Sequence, residues 1–176
     1  VVDALREIGR KLGKDWDFEH DPCSWEIDEI GELKNNVTCN LEPNSTICHV
    51  VSIILTGQNL QGILPPEFVK LPYLRNLYLT RNCLSGTIPP EWGSMERIVD
   101  ISLLVNRLNG SLPKELGNIS TLKSLSVEDN MMSGAIPHEL GKLTSIERLI
   151  LSGNFFTGEL PTSFANLINM KEFRIS

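Results

Sequence analysis

The chain has 176 residues, 41% of them apolar and 22% charged, a composition that suits one folded domain and excludes an intrinsically disordered chain. Its 22 acidic against 16 basic residues leave a net charge of -6, which repels phosphate backbones and anionic lipid surfaces, so no nucleic-acid partner is expected. No apolar run approaches the ~20 residues that span a bilayer, and Val1-Val2-Asp3-Ala4 lacks the basic and apolar regions of a signal peptide, as expected of a mature soluble segment.

The first predicted element is helical. Ala4, Leu5, Ile8 and Leu12 recur at helical spacing and Gly13 stands at a helix stop, which gives an amphipathic helix of about three turns. Trp16, Phe18 and Trp25 follow as further apolar cover. Cys23, Cys39, Cys48 and Cys83 show neither the C-x-x-C spacing of a zinc site nor a redox motif, so disulfides are expected and a metal is not. Sequons at Asn36, Asn44, Asn109 and Asn118 point to a glycoprotein made in the secretory pathway.

From residue 53 onward a fixed period dominates. Leu60-x-Gly62, Leu84-x-Gly86, Leu108-x-Gly110, Met132-x-Gly134 and Phe156-x-Gly158 each lie 24 residues after the last. Pro65, Pro89, Pro113, Pro137 and Pro161 keep the same step, and Asn82, Asn106, Asn130 and Asn154 occupy one slot that holds Gln58 in the first block. Upstream of each Asn lies an alternating apolar pair: Ile53-x-Leu55, Leu77-x-Leu79, Ile101-x-Leu103, Leu125-x-Val127, Leu149-x-Leu151 and Phe173-x-Ile175.

Such a pair is the inward face of a short strand, and strands stacked about 4.8 Å apart build a parallel sheet along a concave side. Where the chain leaves each strand, backbone groups are left inside the stack, and a buried Asn carries the donors and acceptor that satisfy them. Gly permits positive φ and Pro removes a donor, so these two shape an outer turn. A terminal coil exposes an apolar edge, which the predicted helix closes at the start. The chain stops at Ser176, directly after the sixth strand and without a polar cap, so a fragment boundary is expected there.

The pattern LxxLxxLxLxxNxLxGxIPxxL resembles the plant-specific leucine-rich repeat. The fold this implies is an α/β solenoid of five complete repeats and a partial sixth, with residues 1–52 as a helical, disulfide-linked N-terminal cap and 53–176 as the truncated solenoid. Val2-Asp3-Ala4-Leu5-Arg6-Glu7-Ile8-Gly9, Asp21-Pro22-Cys23, Asn36-Val37-Thr38-Cys39 and Arg81-Asn82-Cys83-Leu84 resemble receptor-like kinases of the subfamily that also carries a malectin-like domain. Members of that group usually show Cys-x-Cys where this chain has Cys39-Asn40-Leu41. The preferred bridge is then Cys23 with Cys39, worth about 3 kcal/mol for a loop of roughly 16 residues, with Cys39–Cys48 as the alternative. Cys83 is expected to be a lone buried thiol.

The resemblance implies a recognition module on the extracellular side of the plasma membrane, in the apoplast. The parent would continue with more repeats, a malectin-like domain, one membrane helix and a cytoplasmic Ser/Thr kinase, so contact with the membrane would run only through a segment absent from this chain. The implied partners are a peptide, oligosaccharide or protein ligand and a co-receptor kinase. A secreted inhibitor of microbial wall-degrading enzymes, built from the same repeat, is the alternative.

No catalytic constellation is visible: His20, His49 and His138 are far apart, there is no Gly-x-Ser-x-Gly, and no cofactor is expected. Glu67, Glu91, Glu115 and Glu139 repeat at one slot and are expected along a solvated outer edge. Recognition should use outward strand residues. The central column is Ile54, Tyr78, Ser102, Ser126, Ile150 and Arg174. Ser52, Asn76, Asp100, Ser124 and Arg148 flank it on one side and Thr56, Thr80, Leu104, Glu128 and Ser152 on the other, with Arg81, Val105 and Asp129 beyond. The candidate ligand-binding residues are Tyr78, Arg81, Asp100, Leu104, Val105, Glu128, Asp129, Arg148 and Ile150. Leu104 and Val105 are two consecutive aliphatics where a solvated edge needs none, and with Tyr78, Arg81 and Ile150 they would form an amphipathic patch. Six strands give a face about 24 Å across, room for a short peptide or an oligosaccharide, though Tyr78 as the one outward aromatic disfavours sugar.

Overall fold

The computed structural model describes residues 1–16, 23, 37–41 and 47–176. Expectations for Phe18, His20, Trp25, Asn36 and Asn44 lie outside the described residues. Among the described residues one α-helix, α1 (Val2–Leu12), is followed in chain order by β1 (Val37–Leu41), β2 (Cys48–Ile54), β3 (Asn76–Tyr78), β4 (Ser85–Gly86), β5 (Asp100–Ser102) and β6 (Arg107–Gly110). Then come β7 (Ser124–Ser126), β8 (Met131–Ala135), β9 (Arg148–Ile150), β10 (Phe155–Thr157) and β11 (Glu172–Arg174).

The helix forms where its apolar spacing places it. Leu5, Ile8 and Leu12 are fully buried along one face, and Gly13 ends it in the left-handed region at φ 77. The Gly13 and Lys14 amides turn back to the carbonyls of Arg10 and Gly9, a C-terminal cap that only a residue free of Cβ strain closes easily. The first coil takes the helix's remaining carbonyls: Gly62 N–H donates to Leu12 O at 3.1 Å and Ile63 N–H to Lys11 O at 2.9 Å. Trp16 is buried, its ring against Gly9.

Seven strands form the concave sheet in the order β1-β2-β3-β5-β7-β9-β11. From β2 onward they run parallel with Ile53, Leu77, Ile101, Leu125, Leu149 and Phe173 in register. The 24-residue step therefore becomes a one-strand step, and each coil buries its leucines on the next. At roughly 1.5–3 kcal/mol per fully buried aliphatic side chain, these columns are the main favourable contribution to stability. The edge strand β1 was not anticipated. It pairs antiparallel with β2 and covers the sheet's first edge, and Cys23 bridges to its Cys39 with the Cα atoms 5.3 Å apart. Cys48 and Cys83 are free thiols, and Cys83 is half-buried where full burial was expected, because its slot faces the surface beside Asn59.

The Asn ladder forms as anticipated. Asn106 Nδ2 donates to Leu79 O at 2.9 Å and Leu103 O at 3.0 Å, while its Oδ1 accepts from Leu84 N–H at 3.1 Å. Asn82, Asn130 and Asn154 repeat these bonds one coil apart. Each amide thus stitches its own coil to the one before. Gln58 stands outside the ladder: its backbone N–H is taken by Asn82, and its side chain accepts from Lys14 in the cap.

Where an outer turn was expected after each Asn, the chain instead adds short strands to a second parallel sheet, β4-β6-β8-β10. Asn109 lies in β6 and not in a turn. Beyond each periodic proline the chain makes one turn of 3-10 helix, as at Pro66–Lys70 and Pro90–Ser94. These turns bury Phe68, Trp92, Leu116 and Leu140. Trp92 packs edge-on to Phe68 at 5.6 Å and donates Nε1–H to Pro65 O at 2.9 Å, so its one polar atom is satisfied inside the core.

The carboxylate column departs from the expected solvated edge at its first member. Glu67 is buried beneath α1, where Lys11 donates to its Oε1, while Glu7 of α1 pairs with Lys70 at the surface at 2.7 Å. Its other oxygen, Oε2, has no hydrogen-bond partner among the described residues. The helix explains this, since it lies over only the first coil.

Candidate functional site

The outward side chains of β3, β5, β7, β9 and β11 surround a shallow hollow of about 230 Å3 on the concave face. Period-two alternation sets this arrangement: Leu77, Ile101, Leu125 and Leu149 point into the core, so their strand neighbours face out. Of the anticipated candidates, Tyr78, Asp100, Leu104, Glu128, Arg148 and Ile150 line the hollow.

Its polar groups are already organised. Tyr78 donates its hydroxyl to Asp100 Oδ2 at 3.0 Å. Burial, reinforced by this bond and the Asp100 charge against a weaker opposing pull from Arg148, pushes the phenol up to about 12, so it is a fixed donor at neutral pH. Across the hollow Arg148 Nε donates to Glu172 Oε2 at 2.8 Å, and Arg174 reaches Oε1 of the same carboxylate at 2.6 Å. The hydrogen bond from Arg148 and the two cations hold Glu172 below the ordinary carboxylate value against some desolvation. Two guanidinium groups share one carboxylate, leaving this end net positive, while Asp100 lies on β5 toward the other end and Glu128 follows the middle strand β7. Among the described residues no group of three or more His, Cys, Asp and Glu is placed to hold a metal ion.

Three anticipated residues stand apart from the hollow. Arg81, Val105 and Asp129 occupy the turn after each strand, with φ of 56, 55 and 54. The left-handed backbone carries their exposed side chains to the rim, whereas Gly57 and Gly153 hold the same slot in the flanking coils. For Val105 this is costly, because a β-branched side chain crowds the backbone there. Ile150 also differs from expectation: although it faces outward, it is only 4% exposed and lies outside the main core cluster, a buried floor and not a sticky projection. Glu172 was missed. The signal was present, since it follows Arg148 by 24 residues with opposite charge.

The family model described as Leucine Rich Repeat matches residues 73–95 and 145–167. These coils are leucine-rich repeats. A probable LRR receptor-like serine/threonine-protein kinase of Arabidopsis thaliana is 49% identical over 87 residues, 44% of this chain and 9% of the relative. A second probable kinase of that kind and organism is 48% identical over 87 residues, again 44% of this chain and 8% of its own length. The chain therefore spans less than a tenth of the curated relatives it matches, and over that stretch it is homologous to plant LRR receptor-like kinases. The LRR ectodomain of the receptor kinase SOBIR1 from Arabidopsis thaliana has the same fold, with a TM-score of 0.82 at 24% identity over 98% of this chain and 89% of that one. The plant peptide hormone receptor RGFR1, solved in complex with RGF2, superposes with a TM-score of 0.70 at 31% identity over 72% of this chain and 20% of the receptor.

Proposed function

We propose that this chain is an extracellular, non-catalytic recognition module of a plant receptor-like kinase, and that the concave hollow takes a peptide ligand presented with or without a co-receptor kinase. The single observation that carries the reading is the hollow itself. A rigid face runs from the Tyr78–Asp100 pair past the hydroxyls of Ser102 and Ser126 to a net-positive end, over the apolar floor of Leu104 and Ile150. Polar groups fixed before binding lose little entropy on contact, which is what extended-peptide recognition requires. The rim residues Arg81, Val105 and Asp129 extend this surface to a larger protein partner. The peptide hormone receptor RGFR1 in its complex with RGF2, 31% identical to this chain, supports the ligand class. We further assign the chain to the malectin-bearing subfamily on its cap residues, with 1–52 as cap and 53–176 as repeats, β2 being shared between them.

Titrating the secreted, disulfide-bonded chain with synthetic peptide pools and wall oligosaccharides by calorimetry tests the proposal. Tyr78→Ala or Leu104→Ser should weaken peptide binding about tenfold or more, as loss of a central contact does. Equal affinities in wild type and both variants would remove the concave face from consideration.

A further inference from the structure

The second sheet has its own outward surface, on which two large apolar side chains stand in water. Met131 of β8 is 48% exposed and Phe155 of β10 is 66% exposed, although Met132 between them in the register is fully buried. Asn109 of β6 is the cross-strand partner of Met131, and Ser133 is that of Phe155. With strands about 4.8 Å apart and a rise of about 3.3 Å per residue, Asn109 stands beside Met131 and its backbone lies about 12 Å from that of Phe155, two strands across and two residues along. Asn109 is exposed, opens the sequon Asn109-Gly110-Ser111, and is followed by a glycine that places no side chain over the amide.

We propose that Asn109 carries an N-linked glycan whose first sugars lie across Met131 and reach Phe155, so that the sugar covers the apolar strip of the outer sheet. In its attachment the Asn109 Nδ2 forms a bond to C1 of the first sugar as the C1–O bond to a polyprenyl-diphosphate oligosaccharide donor breaks. The amide proton is lost and the diphosphate departs with the bonding electrons. The match is chemical. A pyranose ring presents C–H groups on one face, which gain dispersion contact with a thioether and a phenyl ring, and keeps its hydroxyls toward water and Ser133. Covalent attachment holds the sugar at an effective concentration in the millimolar range or above, so weak contacts suffice. A second copy of the chain is a poorer occupant, because a stable interface needs about 800 Å2 from each partner, and here two apolar side chains sit among Ser133, Thr157 and the sequon itself.

The test is peroxide oxidation of the full chain secreted from a glycosylating eukaryotic cell, followed by peptide mass spectrometry. Met131 should form sulfoxide about threefold more slowly in glycosylated wild type than in Ser111→Ala, which keeps Asn109 and removes only the acceptor signal. Ser111→Thr should restore protection, and Asn118→Gln, which removes a sequon elsewhere, should leave it unchanged. Buried Met132 reports on the fold in every sample, and amidase release of the glycan from folded wild type, which leaves a carboxylate in place of the Asn109 amide, repeats the comparison with Ser111 intact. An unoccupied Asn109, or equal Met131 rates with and without its sugar, would overturn the proposal. Protection that persists in Ser111→Ala and rises with protein concentration would overturn it too, by assigning the cover to a second copy.

Discussion

The first coil and the interior coils share a motif but use it for different physical ends. In the interior, Gly86, Gly110 and Gly134 hold φ of 79, 75 and 84, a backbone that a Cβ makes costly. At the same motif position Gly62 is needed because the end of α1 lies against it, and a Cβ there would stand 1.9 Å from the Lys11 carbonyl. The carboxylate slot divides in the same way, since Glu91 is exposed while Glu67 is buried in an ion pair with α1. A repeat sequence thus states what each slot must be, whereas its neighbour decides why.

Substitutions sharpen that contrast. Gly62→Val should cost about 3 kcal/mol by driving α1 off the first coil, seen as a lower urea midpoint and faster proteolysis of the first 16 residues. An unchanged midpoint would mean that the helix does not bear on this glycine. Asn106→Leu should cost about 2 kcal/mol by leaving the Leu84 amide unpaired in the core and stripping the Leu79 and Leu103 carbonyls of one of their two ladder bonds each, while Gln58→Leu at the equivalent slot of the first coil should change stability by no more than about 0.5 kcal/mol. Equal melting temperatures for the two variants would break the distinction between ladder and cap. Gly86→Ala, where the added methyl meets only the Ile63 side chain at 3.5 Å, should cost about 1 kcal/mol from its backbone conformation alone.

The Glu67 latch is smaller still. Burial pushes its carboxyl up, but the Lys11 hydrogen bond, its own backbone amide and the charges of Lys11 and Lys70 outweigh this, so its pKa lies below the ordinary 4.5. A depressed folded value stabilises the fold above the unfolded pKa and is lost as pH falls through the folded one. Acidification from about pH 5 through about 3 should therefore cost wild type up to about 1 kcal/mol that Glu67→Gln does not lose, measured as the difference in their denaturation midpoints with pH. Val105→Gly should move the other way, stabilising by about 0.5 kcal/mol as strain relief exceeds the added chain entropy. Destabilisation would show that the Val105 side chain packs more than it strains.

Much of the fold was legible because burial repeats. The register of Leu77 with Ile101, the Asn ladder and the α1 stop at Gly13 each follow from a local rule applied at a fixed step. The site was legible only in part. Tyr78, Asp100 and Arg148 were recognisable as outward residues, but the sharing of Glu172 by Arg148 and Arg174 depends on side-chain reach between adjacent strands. Val105 was noted as out of place, yet its left-handed backbone follows from the curvature of the coil at that turn and not from its identity.

By itself the sequence determined the stacking direction, the coil length and which side chains enter the core, because an apolar column every 24 residues has one economical packing. Only the tertiary structure decided that Glu67 is buried, that Ile150 is a floor, and that Asn109 stands beside Met131. Those outcomes depend on what lies against a residue from another coil, and a linear pattern carries the period of such contacts without carrying their neighbours.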